Sequence, residues 1–399
     1  MKFKVLIAIS MFIFFNIQAQ KTNAPKFGKG IFNLLSRDNS WSMNIAARMQ
    51  FLGVSKWDSN INGISNPVSS FNVRRARLKF NGFAFSEKLK YKMELGLSNQ
   101  DISGGSKFTG NSPRYILDAV IKWNFYKHFE LWVGQTKLPG NRERVVSSAH
   151  LQLVDRSLLN SQFNIDRDIG FQIRHHFKIS DNFVIKEAIT LGQGEGRNIT
   201  TGNIEGHQYT ARLDVLPFGE FKNFGDYTGS SLTRENKPKL AIGLTYDFNN
   251  NAVKNKGNLG VYMKNDIGFH KTNIKTVFVD AMFKYKNFSF MGEYANRNAK
   301  DPVAKNSDGT LTGDIVMIGS GLNLQSGYLF KKNWEITGRY TNINFDRKIT
   351  KRGVDNQYTF GVSKYISGHN LKVQTDLSYL DSVTNKNELM YRLQVDIHF

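Results

Sequence analysis

Arg75, Arg77 and Lys79 stand at every second position of one segment, with Ala76, Leu78 and Phe80 interleaved. In an extended chain successive side chains point to opposite faces, so the three cations share one face and the apolar residues the other. Three like charges on one face repel, and a passing anion relieves that repulsion. The same alternation puts Lys90, Lys92, Lys122, Arg174, Arg212 and Arg339 on the polar faces of further segments. Lys137, Arg142 and Arg144 begin the connection Lys137–Arg167, about thirty residues long and well past ordinary loop length. Together these residues form the candidate anion-contacting set. Glu94, Asp118, Asp168, Glu187, Asp214 and Glu293 fall on the same polar faces, so each arginine has a second reading as half of a wall-bracing salt bridge. Arg74 falls on the apolar face, within reach of a lipid head-group zone.

Reaction chemistry finds little footing. The chain has no cysteine, which excludes a thiol nucleophile, a cysteine zinc site, disulfides and a lipidated N-terminal cysteine. His175 and His176 point to opposite faces of a strand and cannot chelate one metal together. Gly192-Gln193-Gly194-Glu195-Gly196 looks like a nucleotide loop, but no helix follows it. The eight histidines form no Ser-His-Asp or Asp-His grouping along the strands. No cofactor and no metal site is expected.

The elements that position the cations are strands. Segments of nine to twelve residues with period-two alternation recur along the whole chain, as in Leu89, Tyr91, Met93, Leu95 and Leu97 against Lys88, Lys90, Lys92, Glu94 and Ser98. They are expected near 41–51, 71–83, 88–98, 115–126, 128–136, 168–179, 182–192, 207–217 and 239–248. The second half adds 274–286, 288–297, 315–329, 333–345, 356–366, 370–381 and 389–399. Asn258–Phe269 is a weaker segment, read as part of a loop because bacterial single-chain barrels have an even strand count. The expected fold is all-β: a transmembrane, antiparallel, up-and-down barrel of about sixteen strands. Short links such as Phe85-Ser86-Glu87, Lys127-His128, Ser180-Asp181, Lys286-Asn287 and Gly368-His369 alternate with long polar ones. The exception is Pro217–Lys239, long and polar at the end where turns should be short.

Met1-Lys2-Phe3-Lys4 followed by the apolar run Val5–Ile17 reads as a secretory leader cleaved after Ala19, too short to span a bilayer. Residues 20–40 would then be a periplasmic segment and 41–399 the barrel. The formal charge of +21 falls to about +19 without Lys2 and Lys4. This excess is spread among apolar residues with no basic helix, which argues against nucleic acid. At the carboxy end Tyr391, Leu393, Val395, Ile397 and Phe399 alternate with Arg392, Gln394, Asp396 and His398. An apolar stripe ending on Phe399 is the pattern of a final barrel strand, read by the outer-membrane assembly machinery.

Several stretches are similar to the phosphate-selective porin O and P family in its Bacteroidetes form. They are Gly28-Lys29-Gly30-Ile31, Arg48-Met49-Gln50, Phe71-Asn72-Val73-Arg74-Arg75-Ala76-Arg77-Leu78, Val133-Gly134-Gln135-Thr136-Lys137-Leu138-Pro139, Arg167-Asp168-Ile169-Gly170-Phe171, and Tyr209-Thr210-Ala211-Arg212 with Pro217-Phe218-Gly219. The resemblance implies a sixteen-stranded, trimeric outer-membrane barrel whose channel passes small anions, phosphate among the candidates. It also implies that the third long connection folds into the lumen; the alternative is a surface loop binding lipopolysaccharide phosphates. The other function classes are an adhesin or structural barrel and an outer-membrane hydrolase.

Overall fold

The computed structural model describes residues 25–60, 63–102, 107–110, 114–200, 204–384 and 386–399. The expected leader, residues 1–19, and residues 20–24 lie outside these. Among the described residues sixteen strands form one closed antiparallel sheet: β1 (Ser42–Asn60), β2 (Val68–Ala84), β3 (Ser86–Gly96), β4 (Ile116–Tyr126), β5 (Phe129–Lys137), β6 (Arg167–Ser180), β7 (Phe183–Gly192) and β8 (Gln208–Leu216). The second half comprises β9 (Lys239–Ala252), β10 (Thr272–Tyr285), β11 (Phe288–Ala299), β12 (Gly319–Leu329), β13 (Trp334–Phe345), β14 (Val354–Ser367), β15 (Leu371–Ser382) and β16 (Asn387–His398). Each strand pairs with its chain neighbours, and β1 closes the ring on β16 from Arg48↔His398 to Ser59↔Asn387. Phe32–Leu35 adds a short strand beside the start of β1.

The two faces of this sheet invert the usual burial rule. Ile189, Phe171, Leu244 and Phe360 are exposed on the outside, while Thr245, Asp280, Arg297 and Gln374 are buried inside. An apolar outer band with polar side chains within suits a bilayer around the wall, where lipid replaces water.

Departures from the alternation have local causes. β1 runs nine residues beyond its expected end, through Gly53, Ser55 and Asp58, because β16 supplies a ladder as far as Asn387. The expected 315–329 strand begins only at Gly319, and Ile315 belongs instead to Leu311–Ile315, which pairs with Val303–Lys305 in a loop hairpin. The 258–269 segment forms parts of two small hairpins off the barrel. Glu187 was expected inside, but it alternates in phase with the outward Ile189 and Leu191 of its own strand and so faces outside, bonded to His175 at 3.1 Å. Arg74 was expected to face lipid. The ladder passes from Gln50↔Arg75 to Phe51↔Val73, so Arg74 is the extra residue of a β-bulge and turns inward to Asp155 at 2.9 Å.

The connections at one end are tight: Lys127-His128 and Lys286-Asn287 are two-residue turns whose first residues have φ of 44° and 50°, as such hairpins require. The β8–β9 connection remains the long exception at that end.

If the outer face meets lipid, an arginine at the middle of β9 must be carried into hydrocarbon. Leu244→Arg is expected to cost about 2–4 kcal/mol, read as a lower guanidinium midpoint in phosphatidylcholine vesicles. Lys79→Arg, on the inner face, is expected to leave that midpoint in place.

Candidate functional site

The β5–β6 connection, residues 138–166, carries two short helices, α1 (Arg142–Val145) and α2 (Leu158–Phe163). Ser157 caps α2 by accepting from the Asn160 amide at 3.1 Å. The bonds of this connection go to inward-facing side chains of the wall. Arg142 donates to Asp280 of β10 at 2.9 Å and to Asp214 of β8 at 2.5 Å. Glu293 of β11 accepts from the Glu143 amide at 2.5 Å. Gln152 donates to Ser289 of β11 and Glu335 of β13, both at 2.8 Å. Farther round, Lys372 of β15 donates to the Leu151 carbonyl at 3.0 Å, and the Val154 amide donates to Asp376 at 3.1 Å. Arg48 of β1 donates to Ser148 at 2.6 Å, and Asp155 receives Arg74 and Arg75 of β2. Leu138, Leu159, Phe163 and Ile165 complete the attachment by packing on Phe278, Ala295, Ile343 and Phe345 of the wall.

The connection thus bonds to the inner face from β8 round to β2. The space between it and the other half of the wall is a cavity of about 1250 Å³. Among the described residues seventeen Lys and Arg line this cavity against nine Asp and Glu, so its surroundings are net positive.

The expected site residues separate into two groups. Arg142 and Arg212 share the carboxylates Asp214 and Asp280, and Arg339 donates to the Asp155 carbonyl at 2.9 Å with Glu143 at 3.7 Å. All three are buried between loop and wall. Arg144 pairs with Asp166, and Lys137 donates to the Arg144 carbonyl at 2.8 Å. Arg75 reaches Asp155 at 3.2 Å; Arg77 reaches Glu94 at 3.0 Å and Asp101 at 2.6 Å; Lys92 reaches Glu94 at 2.8 Å and Asp118 at 2.5 Å. The like-charged row of β2 is therefore largely neutralised, by Glu94 of β3, which the strand pattern placed inward, and by the loop carboxylates Asp101 and Asp155, which it could not reveal. Burial alone would raise the Asp155 carboxyl, yet Arg75 and Arg74 hold it well below the usual range.

Lys79, Lys90, Lys122 and Arg174 make up the second group, with no carboxylate partner among the described residues. Lys90 stands directly opposite Lys122 across the β3–β4 ladder. Lys122 and Arg174 both lie against the Trp132 ring, 3.6 and 4.2 Å from its centroid. Arg48, Arg167, Lys186 and Arg392 also line the cavity, and their alternate positions on strands could have named them. Arg156 and Arg197, from loops, carry no such signal. Among the described residues no three His, Asp or Glu side chains gather as metal ligands.

Removing Asp280 leaves Arg142 and Arg212 to share Asp214 alone. Asp280→Ala is expected to cost about 3–5 kcal/mol, seen as an earlier loss of the folded, heat-modifiable band on electrophoresis. An unchanged transition would mean that this buried network does not hold the loop.

A profile of the family described as phosphate-selective porin O and P matches residues 51–397. The chain is 24% identical over 363 residues to an "uncharacterized protein" of Aquifex aeolicus, covering 83% of this chain and 81% of that one. Among solved structures, the outer-membrane channel DcaP of Acinetobacter baumannii gives a TM-score of 0.54 at 12% identity, with 92% of this chain and 99% of that one covered. An anion-selective porin from Comamonas acidovorans gives 0.53 at 11% identity, covering 90% and 100%. The trimer form of OmpT from Vibrio cholerae gives 0.51 at 11% identity, also covering 90% and 100%. At such identities the structural likeness is one of fold.

Proposed function

The chain belongs to the phosphate-selective porin O and P family, and on that premise we propose that its anions pass along the wall formed by β2 to β6. The protein is an outer-membrane porin, a water-filled channel for small solutes that prefers anions. The observation that carries the path is the set Lys79, Lys90, Lys122 and Arg174, inward cations without carboxylate partners among the described residues, on neighbouring strands. A unit charge attracts a chloride at ~4 Å by about 1 kcal/mol in a water-like dielectric. Summed over several such groups, this exceeds thermal energy and biases permeation toward anions without binding them tightly enough to block it. The β5–β6 connection narrows the passage by covering the opposite half of the wall, and Arg142, Arg212 and Arg339 hold it there.

The cations are spread along a track rather than gathered about one point. That favours general anion preference over dedicated phosphate capture. A track of cations facing water also fits transport better than catalysis, and a lumen with this much open space fits neither an adhesin nor a structural plug. The assembly we carry over from the resemblance is a homotrimer in lipopolysaccharide-containing membrane, inserted through the strand that ends at Phe399.

The test is the reversal potential of the purified protein in a planar bilayer under a potassium chloride gradient. Chloride preference is expected, and Lys79→Gln, Lys122→Gln and Arg174→Gln together should at least halve the permeability ratio. Cation preference in the wild type would overturn the assigned track. Millimolar phosphate is expected to leave the chloride current nearly unchanged; strong block would point instead to a phosphate site.

A further inference from the structure

The β8–β9 connection, residues 217–238, lies at the end where the other turns have one to four residues. Its chain does not hang free below the barrel. Phe221 packs with Val184, Leu216, Ala241, Met282 and Met291, which form an apolar patch on the inner wall. Without this cover that patch would face water inside the lumen. Lys284 of β10, fully buried, donates to the carbonyls of Thr228 at 2.8 Å and Ser230 at 2.7 Å. Asp226 receives Lys186 of β7 at 2.8 Å. The segment also meets the β5–β6 connection: the Gly229 amide donates to the His150 carbonyl at 2.8 Å, and Arg142 donates to the Asp226 carbonyl at 3.4 Å.

Where it meets the cavity, the segment holds an unusual backbone. Asn223 and Phe224 are both left-handed, with φ of 49° and 54°, a conformation that a bulky side chain adopts only when its surroundings impose it. The result is an aromatic ring on the cavity lining that remains 76% exposed. Tyr227 lines the same cavity, with the Lys186 ammonium 5.5 Å from its ring centre.

We propose that this connection is a second constriction of the pore, interlocked with the β5–β6 connection from the opposite end. Phe224 and Tyr227 set the width of the mouth on that side, and Asp226 sets its charge by neutralising Lys186. The inference takes the channel as given and does not depend on which anion it prefers.

The chain has no cysteine, so Phe224→Cys carries a single thiol. The variant would be treated in a planar bilayer with an anionic and then, in a separate preparation, a cationic methanethiosulfonate. A ring in the pathway predicts stepwise loss of chloride conductance with the anionic reagent, and a smaller loss or a gain with the cationic one. Asp226→Asn, which unmasks Lys186, should raise the chloride-to-potassium permeability ratio roughly 1.5- to 2-fold. Modified thiols, verified by mass, with unchanged conductance would overturn the proposal, whether or not Asp226→Asn folds. Open wild-type channels with insensitive variants would sink this inference alone. A wild type without channel steps would overturn the porin reading as well.

Discussion

A backbone amide in hydrocarbon has no water to bond, and the rest of the architecture depends on that constraint. Every strand must find partners on both sides, so the sheet has to close. The β1–β16 ladder performs the closure, and it carries β1 well past the residues whose alternation favours a strand. Gly53, Ser55 and Asp58 are poor strand formers, yet an unpaired edge on β16 would cost more than including them.

Closing sixteen strands creates a second problem. A ring of that size is too wide for its own inward side chains to fill, so segments from the connections occupy part of it. The β5–β6 connection enters from one end and the β8–β9 connection from the other, and they touch at His150 and Gly229. Both bring polar backbone into the interior, and the wall satisfies it with long cationic side chains: Lys372 on Leu151, Lys284 on Thr228 and Arg297 on Phe163. Much of the interior positive charge therefore serves attachment. Arg142 and Arg212 belong to a buried network with Asp214 and Asp280, where desolvation offsets most of the Coulomb gain but loss of one partner is costly.

On the proposed reading, function rests on the charge left over after this bracing. Lys79, Lys122 and Arg174 line the cavity that the β5–β6 connection leaves open, with Lys90 opposite Lys122, and none has a carboxylate at contact distance among the described residues. Position relative to the loops, more than membership of the inner face, separates a bracing cation from one that meets solute.

The sequence by itself determined the barrel, the strand count and the side on which nearly every charge lies. Each of these follows from local periodicity, and an arginine on the lipid face is expensive enough to forbid the opposite parity. Its failures were of two kinds: the bulge that turned Arg74 inward is set by the neighbouring strand, which one segment cannot report, whereas the alternation of Ile185, Glu187, Ile189 and Leu191 already places Glu187 outside. Only the tertiary structure decided which cations are spent. The carboxylate partners of Arg75 and Arg142 lie 80 and 72 or more residues away, on loops or strands brought near by closure. A period-two pattern tells which way a side chain points, but what it meets there depends on chain that arrives from elsewhere.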